Sequence, residues 1–362
     1  MLKGSSLFII AILVSLLTGC GGGTSMFREN PQHSGVSNSS APRELDKLVW
    51  KYSAPSKVYS SPIVSDGTVY VGCKDGSVYA LDLYDGHLKW SFATKDNVEA
   101  SVAVKGNTLY IGSWDGYLYA VDIDSHELKW KFRTGGLIYS APVIEGGVVY
   151  FGSKDKNVYA VDADTGAEVW HFDAQAVVYT SPAVSNGMVF VGTLNGYVRA
   201  INQKSGQEQW KYAINKPIYS SPSVHDGYVY IGADDKRLHA INIDTGQLKW
   251  KKKTAGKLFS SPAVSDNKVY VGSTDNYIYA YDEKKSSRIW EYQTQGSIYS
   301  SPVIASDTVF VGSTDGYLYA MYAENGKRRW RYKVDSKIFS TPAIADGMVI
   351  ISAVNGEVFA IK

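Results

Sequence analysis

The chain has 362 residues and a formal net charge of only +2, with 27 Tyr, 9 Trp and 34 Gly against 11 Pro. So balanced a charge excludes a basic field able to neutralise a nucleic-acid backbone or to hold the protein on anionic lipid by charge alone. The aromatic and glycine content argues against a helical protein and for many short strands joined by tight turns.

The first element in chain order is an export signal. Lys3 precedes an apolar run from Leu7 to Leu17, too short for a membrane-spanning helix, which needs about 20 residues, and the run ends in Leu17-Thr18-Gly19-Cys20. The small residues before Cys20 resemble the bacterial lipobox. That resemblance implies a signal peptide over 1–19, removal of which leaves a lipid-bearing Cys20 as first residue. With Gly21 rather than Asp next, it implies delivery to the outer membrane, facing the periplasm. Residues 20–42 begin Gly- and Ser-rich and read as a flexible tether. Cys73 is then the one remaining thiol, so no internal disulfide is expected, and it reads as a small buried side chain.

From residue 43 the chain is periodic. Trp recurs at 50, 90, 130, 170, 210, 250, 290 and 330, an unbroken step of forty. Ala keeps the same step from 80 to 360, and Gly from 72 to 312 with Ser352 last. One such unit cannot bury its own apolar faces and must stack on its neighbours. Within a unit, four β-like runs are separated by turn signals, for example Tyr139 to Ile144, Val148 to Ser153, Val158 to Asp162 and Val169 to Phe172. Val149, Tyr150 and Phe151 are apolar on successive residues, so both faces of that strand are covered, as in radially packed propeller blades.

The phase of the ends predicts how the ring closes. The chain finishes at Val358-Phe359-Ala360-Ile361-Lys362, after the third strand of its last unit, while Leu48-Val49-Trp50-Lys51-Tyr52 stands alone before the first. Residues 43–362 are eight units of forty, so the expected fold is all-β: an eight-bladed β-propeller whose N-terminal strand completes the eighth blade.

The segment from Ala160 to Trp170, AVDADTGAEVW, and its counterpart from Ala240 to Trp250 resemble the signature of the pyrroloquinoline-quinone (PQQ) repeat. Met26 to His33 is similar to a lead-in found before such propellers. The resemblance implies that Trp50, Trp90, Trp130, Trp170, Trp210, Trp250, Trp290 and Trp330 each dock on the neighbouring blade. Quinoprotein dehydrogenases of this family carry long inserted loops, adjacent cysteines in a strained disulfide, and acidic and amide residues holding calcium. Nothing is inserted here, and the two cysteines lie 53 positions apart, so neither PQQ nor another cofactor is expected. Small lipidated propellers of this repeat without insertions resemble the outer-membrane assembly factor BamB. That resemblance implies a non-enzymatic scaffold, membrane-attached through its N-terminal lipid, which meets protein partners of the cell envelope such as the barrel assembly machinery. A PQQ-dependent oxidoreductase and a propeller binding envelope glycan or another small ligand are the alternatives. A monomeric ring is expected.

Chemistry on a ring of equal units requires departures from the repeat. Asp75, Asp115, Asp155, Asp235, Asp275 and Asp315 recur and read as turn formers, with Asn195 and Asn355 in the other units. The six His residues show no metal-ligand spacing, and no nucleophile or phosphate-loop motif is present, so no catalytic or metal site is assigned. His239 and Arg199 replace the usual Tyr of the third strand. The second unit departs most: Glu99, in Val98-Glu99-Ala100-Ser101-Val102, replaces the aromatic residue of other units, and Trp114 is the only Trp outside the forty-residue step. Leu194 occupies the column of Trp114. Trp114, Leu194 and Glu99 are therefore the candidate partner contacts, on turns expected to face solvent.

Overall fold

The computed structural model describes residues 24–362. The signal peptide and Cys20 lie outside the described residues. Eight sheets of antiparallel strands surround a central channel. Blade 1 is Ile63–Ser65, Thr68–Gly72, Ser77–Asp82 and Leu88–Ala93 from the channel outward. Six blades repeat that order, at 103–133, 143–173, 183–213, 223–253, 263–293 and 303–333. Blade 8 takes three strands from 343–361 and its outermost from Leu48–Ser53, which pairs antiparallel with Glu357–Ile361 in the register Trp50 with Ala360 and Tyr52 with Val358. The ring closes as the phase of the ends predicts.

The innermost strands are shorter than their β-like sequence. In blade 3 the strand is only Val143–Glu145, not Tyr139 to Ile144. Pro142 has no N–H to give a ladder, and Ser140 Oγ bonds both the N–H and the carbonyl of Gly152, at 2.7 and 3.1 Å. A side chain replaces the ladder there.

Each blade is bolted to the next by tryptophan. The indole N–H of Trp50 donates to the Leu83 carbonyl at 2.7 Å, and those of Trp130, Trp170, Trp210, Trp250 and Trp290 make the equivalent bond 33 residues on, at 2.7 to 3.1 Å. The ring lies flat on the turn it meets: a Cβ on Gly86 would stand 2.5 Å from Trp50 Cδ2, so glycine admits the indole. The glycine that ends each second strand has a similar cause, since a Cβ on Gly312 would meet Ile338 Cγ2 of the next blade at 2.2 Å. Val69, Tyr150, Phe190 and Ile351 are fully or almost fully buried between blades, which accounts for the continuous apolar runs.

Two faces result. The upper face carries the turns between second and third strands together with the loops between blades, tied by bonds such as Trp114 N–H to the Asn97 carbonyl at 3.0 Å. The lower face carries the hairpin turns after the innermost strands and the turns after the third strands, tied by bonds such as Leu83 N–H to the Gly67 carbonyl at 3.0 Å.

Residues 24–37, read from composition as part of a flexible tether, are instead built into the channel. Thr24–Ser25 pairs antiparallel with Lys105 and Val104 of blade 2, entering from the lower face, and Val36–Ser37 pairs parallel with Ile304 and Ala305 of blade 7 on the way back. Between them, the carbonyls of Pro31, Gln32 and Ser34 accept from the N–H groups of Val184, Val224 and Val264 at 2.7 to 3.0 Å. The inner edges of the innermost strands would otherwise leave these donors unpaired, which supplies the driving force that composition alone hides.

Candidate functional site: the upper mouth of the channel

The plug closes the channel from below and leaves a cup open above. Arg28 is buried, and its guanidinium donates to the carbonyls of His33 at 3.1 Å, Ser261 at 2.9 Å and Pro262. Burial lowers its pKa to about 9, against the opposing effect of Glu29. Glu29 is pushed up to about 7 by burial, which outweighs the attraction of Arg28. His33, fully buried, is held down to about 3 by burial and by the charge of Arg28, despite its 3.2 Å contact to the Pro222 carbonyl. Phe27 packs edge-on against His33 with centroids 5.5 Å apart and forms the base of the cup.

The wall of the cup is two rings, one residue per blade. The lower ring is hydroxyl-rich. The N–H groups of Ser61, Ala141, Ser181, Ser221 and Ser261 donate to the hydroxyl forty residues on at 2.9 to 3.1 Å, and Thr341 N–H closes the circle on Ser61 Oγ at 2.9 Å. The upper ring is aromatic at seven of eight positions. From Tyr59 through Phe339, Tyr299, Phe259, Tyr219 and Tyr179 to Tyr139, successive centroids are 4.5 to 5.9 Å apart. Burial raises the Tyr139 phenol pKa, with Tyr179 adding to the effect. The cup has a volume of about 190 Å³.

Glu99 is the eighth position and breaks the belt. Its carboxylate meets Lys74 Nζ at 3.0 Å, and that ammonium also lies 5.6 Å from the centroid of Tyr59 and 5.1 Å from that of Trp114. Trp114 packs on Tyr139 at 4.8 Å, extending the belt across the gap. The site thus combines a ring of π faces with one partly buried ion pair; the cation–π contact is worth about 0.5–1 kcal/mol and the pair about 0.2–1 kcal/mol. The sequence singled out Glu99 and Trp114 as departures of one unit; the structure links them through Lys74 of the neighbouring blade, whose part was not anticipated. The signal was present in the column shared by Lys74, Trp114 and Leu194, which occupy the same turn of blades 1, 2 and 4.

The solvent-facing expectation for two of the anchors needs correction. Trp114 and Leu194 are half-buried, because Trp114 lies under Lys74 and Leu194 N–H is tied to the Val177 carbonyl at 3.1 Å. The indole N–H of Trp114 is buried without a partner. Leu194, on blade 4, shares the upper face with Trp114 but is not among the residues lining the cup.

The remaining departures are structural. Asp75 accepts from Ser77 N–H at 2.9 Å and from the Tyr79 hydroxyl at 2.6 Å, and Asp115, Asp155, Asp275 and Asp315 clasp their own tyrosines in the same way. His239 keeps this clasp on Asp235 at 3.0 Å. Arg199 stands where the acid is Asn195, and pairs instead with Glu208 and, at 3.1 Å, the Ala174 carbonyl. Among the described residues one trio, Asp82, Asp85 and His87, could approach a cation, but it is an exposed turn whose own hydrogen bonds explain its geometry. Cys73 is fully buried, as read from the sequence.

Two family models match the chain. The model described as the β-propeller of the β-alanine-activating enzyme covers residues 76–267, more than half of the chain, and the model for outer membrane protein assembly factor BamB covers 194–362. The chain belongs to the β-propeller family of the first model and has the PQQ-repeat β-propeller fold. Membership in the propeller family of the first model follows from its coverage. No curated protein matches the sequence. Among solved structures, BamB from Moraxella catarrhalis has a TM-score of 0.77 at 17% identity, covering 87% of this chain and 99% of its own. Quinohemoprotein alcohol dehydrogenase from Comamonas testosteroni has a TM-score of 0.82 at 14% identity, covering 93% of this chain and 80% of its own. The computationally designed Ika8 protein has a TM-score of 0.80 at 20% identity, covering 87% and 99%. At these identities the likeness is one of fold, shared by an assembly factor, a dehydrogenase and a designed ring alike.

Proposed function

We propose that this PQQ-repeat propeller is a non-enzymatic scaffold, lipid-anchored through Cys20 in the outer membrane on its periplasmic side, and that it binds protein partners of outer-membrane protein assembly in the manner of BamB. The observation that carries the reading is the asymmetry of the upper mouth. A belt otherwise repeated around the ring is broken at blade 2 by Glu99, which pairs with Lys74 of blade 1 next to Trp114, and a half-buried Trp beside an ion pair is the composition of a recognition hot spot. The family match to BamB supports the choice of partner class.

The residues at the mouth do not fit a quinone with its calcium ion. Cys73, the only cysteine among the described residues, is buried within blade 1, so no disulfide can face a bound quinone. Glu99, the carboxylate lining the cup, is paired with Lys74 rather than left to meet a cation.

Affinity purification of the lipidated protein from its native envelope tests this reading. It should recover the barrel-inserting complex, and Trp114→Ala should lose most of it at an unchanged melting temperature. Undiminished recovery with both Trp114→Ala and Leu194→Ala would remove this surface from the account. Dye reduction dependent on added PQQ and calcium would replace the scaffold by an oxidoreductase.

A further inference from the structure

We infer that the lower face of the propeller rests on the membrane, with the channel axis along the membrane normal and the cup opening away from the lipid. The inference rests on the lipoprotein reading and adds an orientation to it. Thr24 is fixed: it pairs with Lys105 at the lower end of the innermost strand of blade 2, and Ser25 pairs one residue deeper, with Val104. The chain therefore enters the ring from below and close to the axis. Thr24 stands only four positions after Cys20, and four residue steps span at most ~14 Å however they are arranged. A lipid on Cys20 consequently holds the lower opening within ~14 Å of the bilayer surface. Turning the ring over would need the tether to run the depth of the propeller and around its rim, which four residues cannot do.

The plug makes this anchor stiff. Arg28 is clamped by three carbonyls, and Val36–Ser37 is paired in blade 7, on another part of the ring from blade 2. Force on the lipid is thus carried into the ring near its axis and not through a hanging strand. Charge does not do this work. In the lower hairpin turns Asp66, Glu145, Asp226, Asp266, Asp307 and Asp346 outnumber Lys105 and Lys268, so that face does not attract anionic lipid and attachment depends on the acyl chains. Tyr84, 59% exposed on a lower turn with its hydroxyl on Asp346 at 2.8 Å, has the amphipathic character of a residue at the lipid headgroups.

The orientation is read by quenching. The full lipidated chain carries a dye on Lys204→Cys, in the lower turn 202–207, or on Lys154→Cys, in the upper turn 153–157; both positions are exposed and Cys73 is buried. In vesicles of phosphatidylethanolamine and phosphatidylglycerol bearing headgroup nitroxides, the Lys204 label should be quenched at least three-fold more than the Lys154 label. A flexible Gly/Ser insertion of about 20 residues before Thr24 should bring the two labels close together, because its root-mean-square span of about 25 Å frees the ring to tumble. Equal or reversed quenching in a protein whose mature N-terminus carries the lipid mass overturns the orientation alone. An N-terminus without lipid overturns the lipoprotein reading and the orientation with it.

Discussion

The indole N–H of Trp330 donates to the carbonyl of Pro42 at 3.3 Å, across 288 positions of the chain. It is the blade-docking bond of the repeat, made at the one junction where the acceptor must come from the other terminus. Beside it Leu48–Ser53 supplies the last strand, and the N–H groups of Asp46 and Lys47 donate to the Lys362 carbonyl at 2.8 Å.

Removing residues 45–52 should therefore unlock the ring. Trp50 alone contributes about 1.5–3 kcal/mol by burial, and each ladder bond about 0.5–1.5 kcal/mol, so their sum rivals the net stability of a domain. Thermal unfolding followed by circular dichroism should show a sharply lower Tm and aggregation. An unchanged melting curve would deny the closure.

His33 makes the plug pH-sensitive. Its pKa falls from 6.5 to about 3 on folding, so below pH 6.5 the unfolded chain takes up a proton that the folded chain refuses. Stability contributed by neutral His33 is complete above pH 6.5 and is lost as pH falls toward 3, by at most about 1.4 kcal/mol per pH unit. Glu29, raised to about 7, acts in the opposite sense over its own range, since its folded form holds a proton that the unfolded form has released. The difference between wild type and His33→Phe in denaturant titrations from pH 7 to pH 4 isolates the histidine. The wild type should lose ground steadily relative to the variant; parallel curves would show that His33 is not buried neutral.

Trp90 is the one docking tryptophan without a docking bond among the described residues. Where Gly86 or Gly166 admits an indole, its turn offers His126 at φ +60°, and the two rings stack at 4.7 Å instead. Ser286 is tolerated in the same column, as Trp250 still reaches the Glu283 carbonyl at 3.0 Å. His126→Gly should relieve about 1 kcal/mol of left-handed strain and let Trp90 bond the Ile123 carbonyl, raising Tm by about 2 °C. A fall in Tm would mean that the imidazole stack is worth more than the bond it displaces.

Much of this architecture was legible because the repeat repeats its causes. The tryptophan column marks a bond between blades, the glycine column marks a close approach, and the Asp column marks a turn clasped by the Tyr four residues on in the same hairpin. Reading down the columns also exposed Glu99, since the belt residue of every other unit is aromatic. What escaped is what has no period. Met26 to His33 resembles a lead-in by sequence, yet nothing in its polarity says that Arg28 and His33 are buried, because their partners are carbonyls and strand edges contributed by blades 5 and 6. Trp114 read as exposed because a turn was the only context visible; its burial comes from Tyr139 of the next blade and Lys74 of the preceding one, neighbours that no local pattern displays.

Photocrosslinking in the native envelope tests most directly whether the upper mouth is the working surface. A photoreactive amino acid at Trp114 should give discrete adducts with components of the barrel-inserting machinery, whereas the same group at Tyr84 on the lower face should give lipid adducts and none of these proteins. Protein adducts from Tyr84 with none from Trp114 would contradict the account.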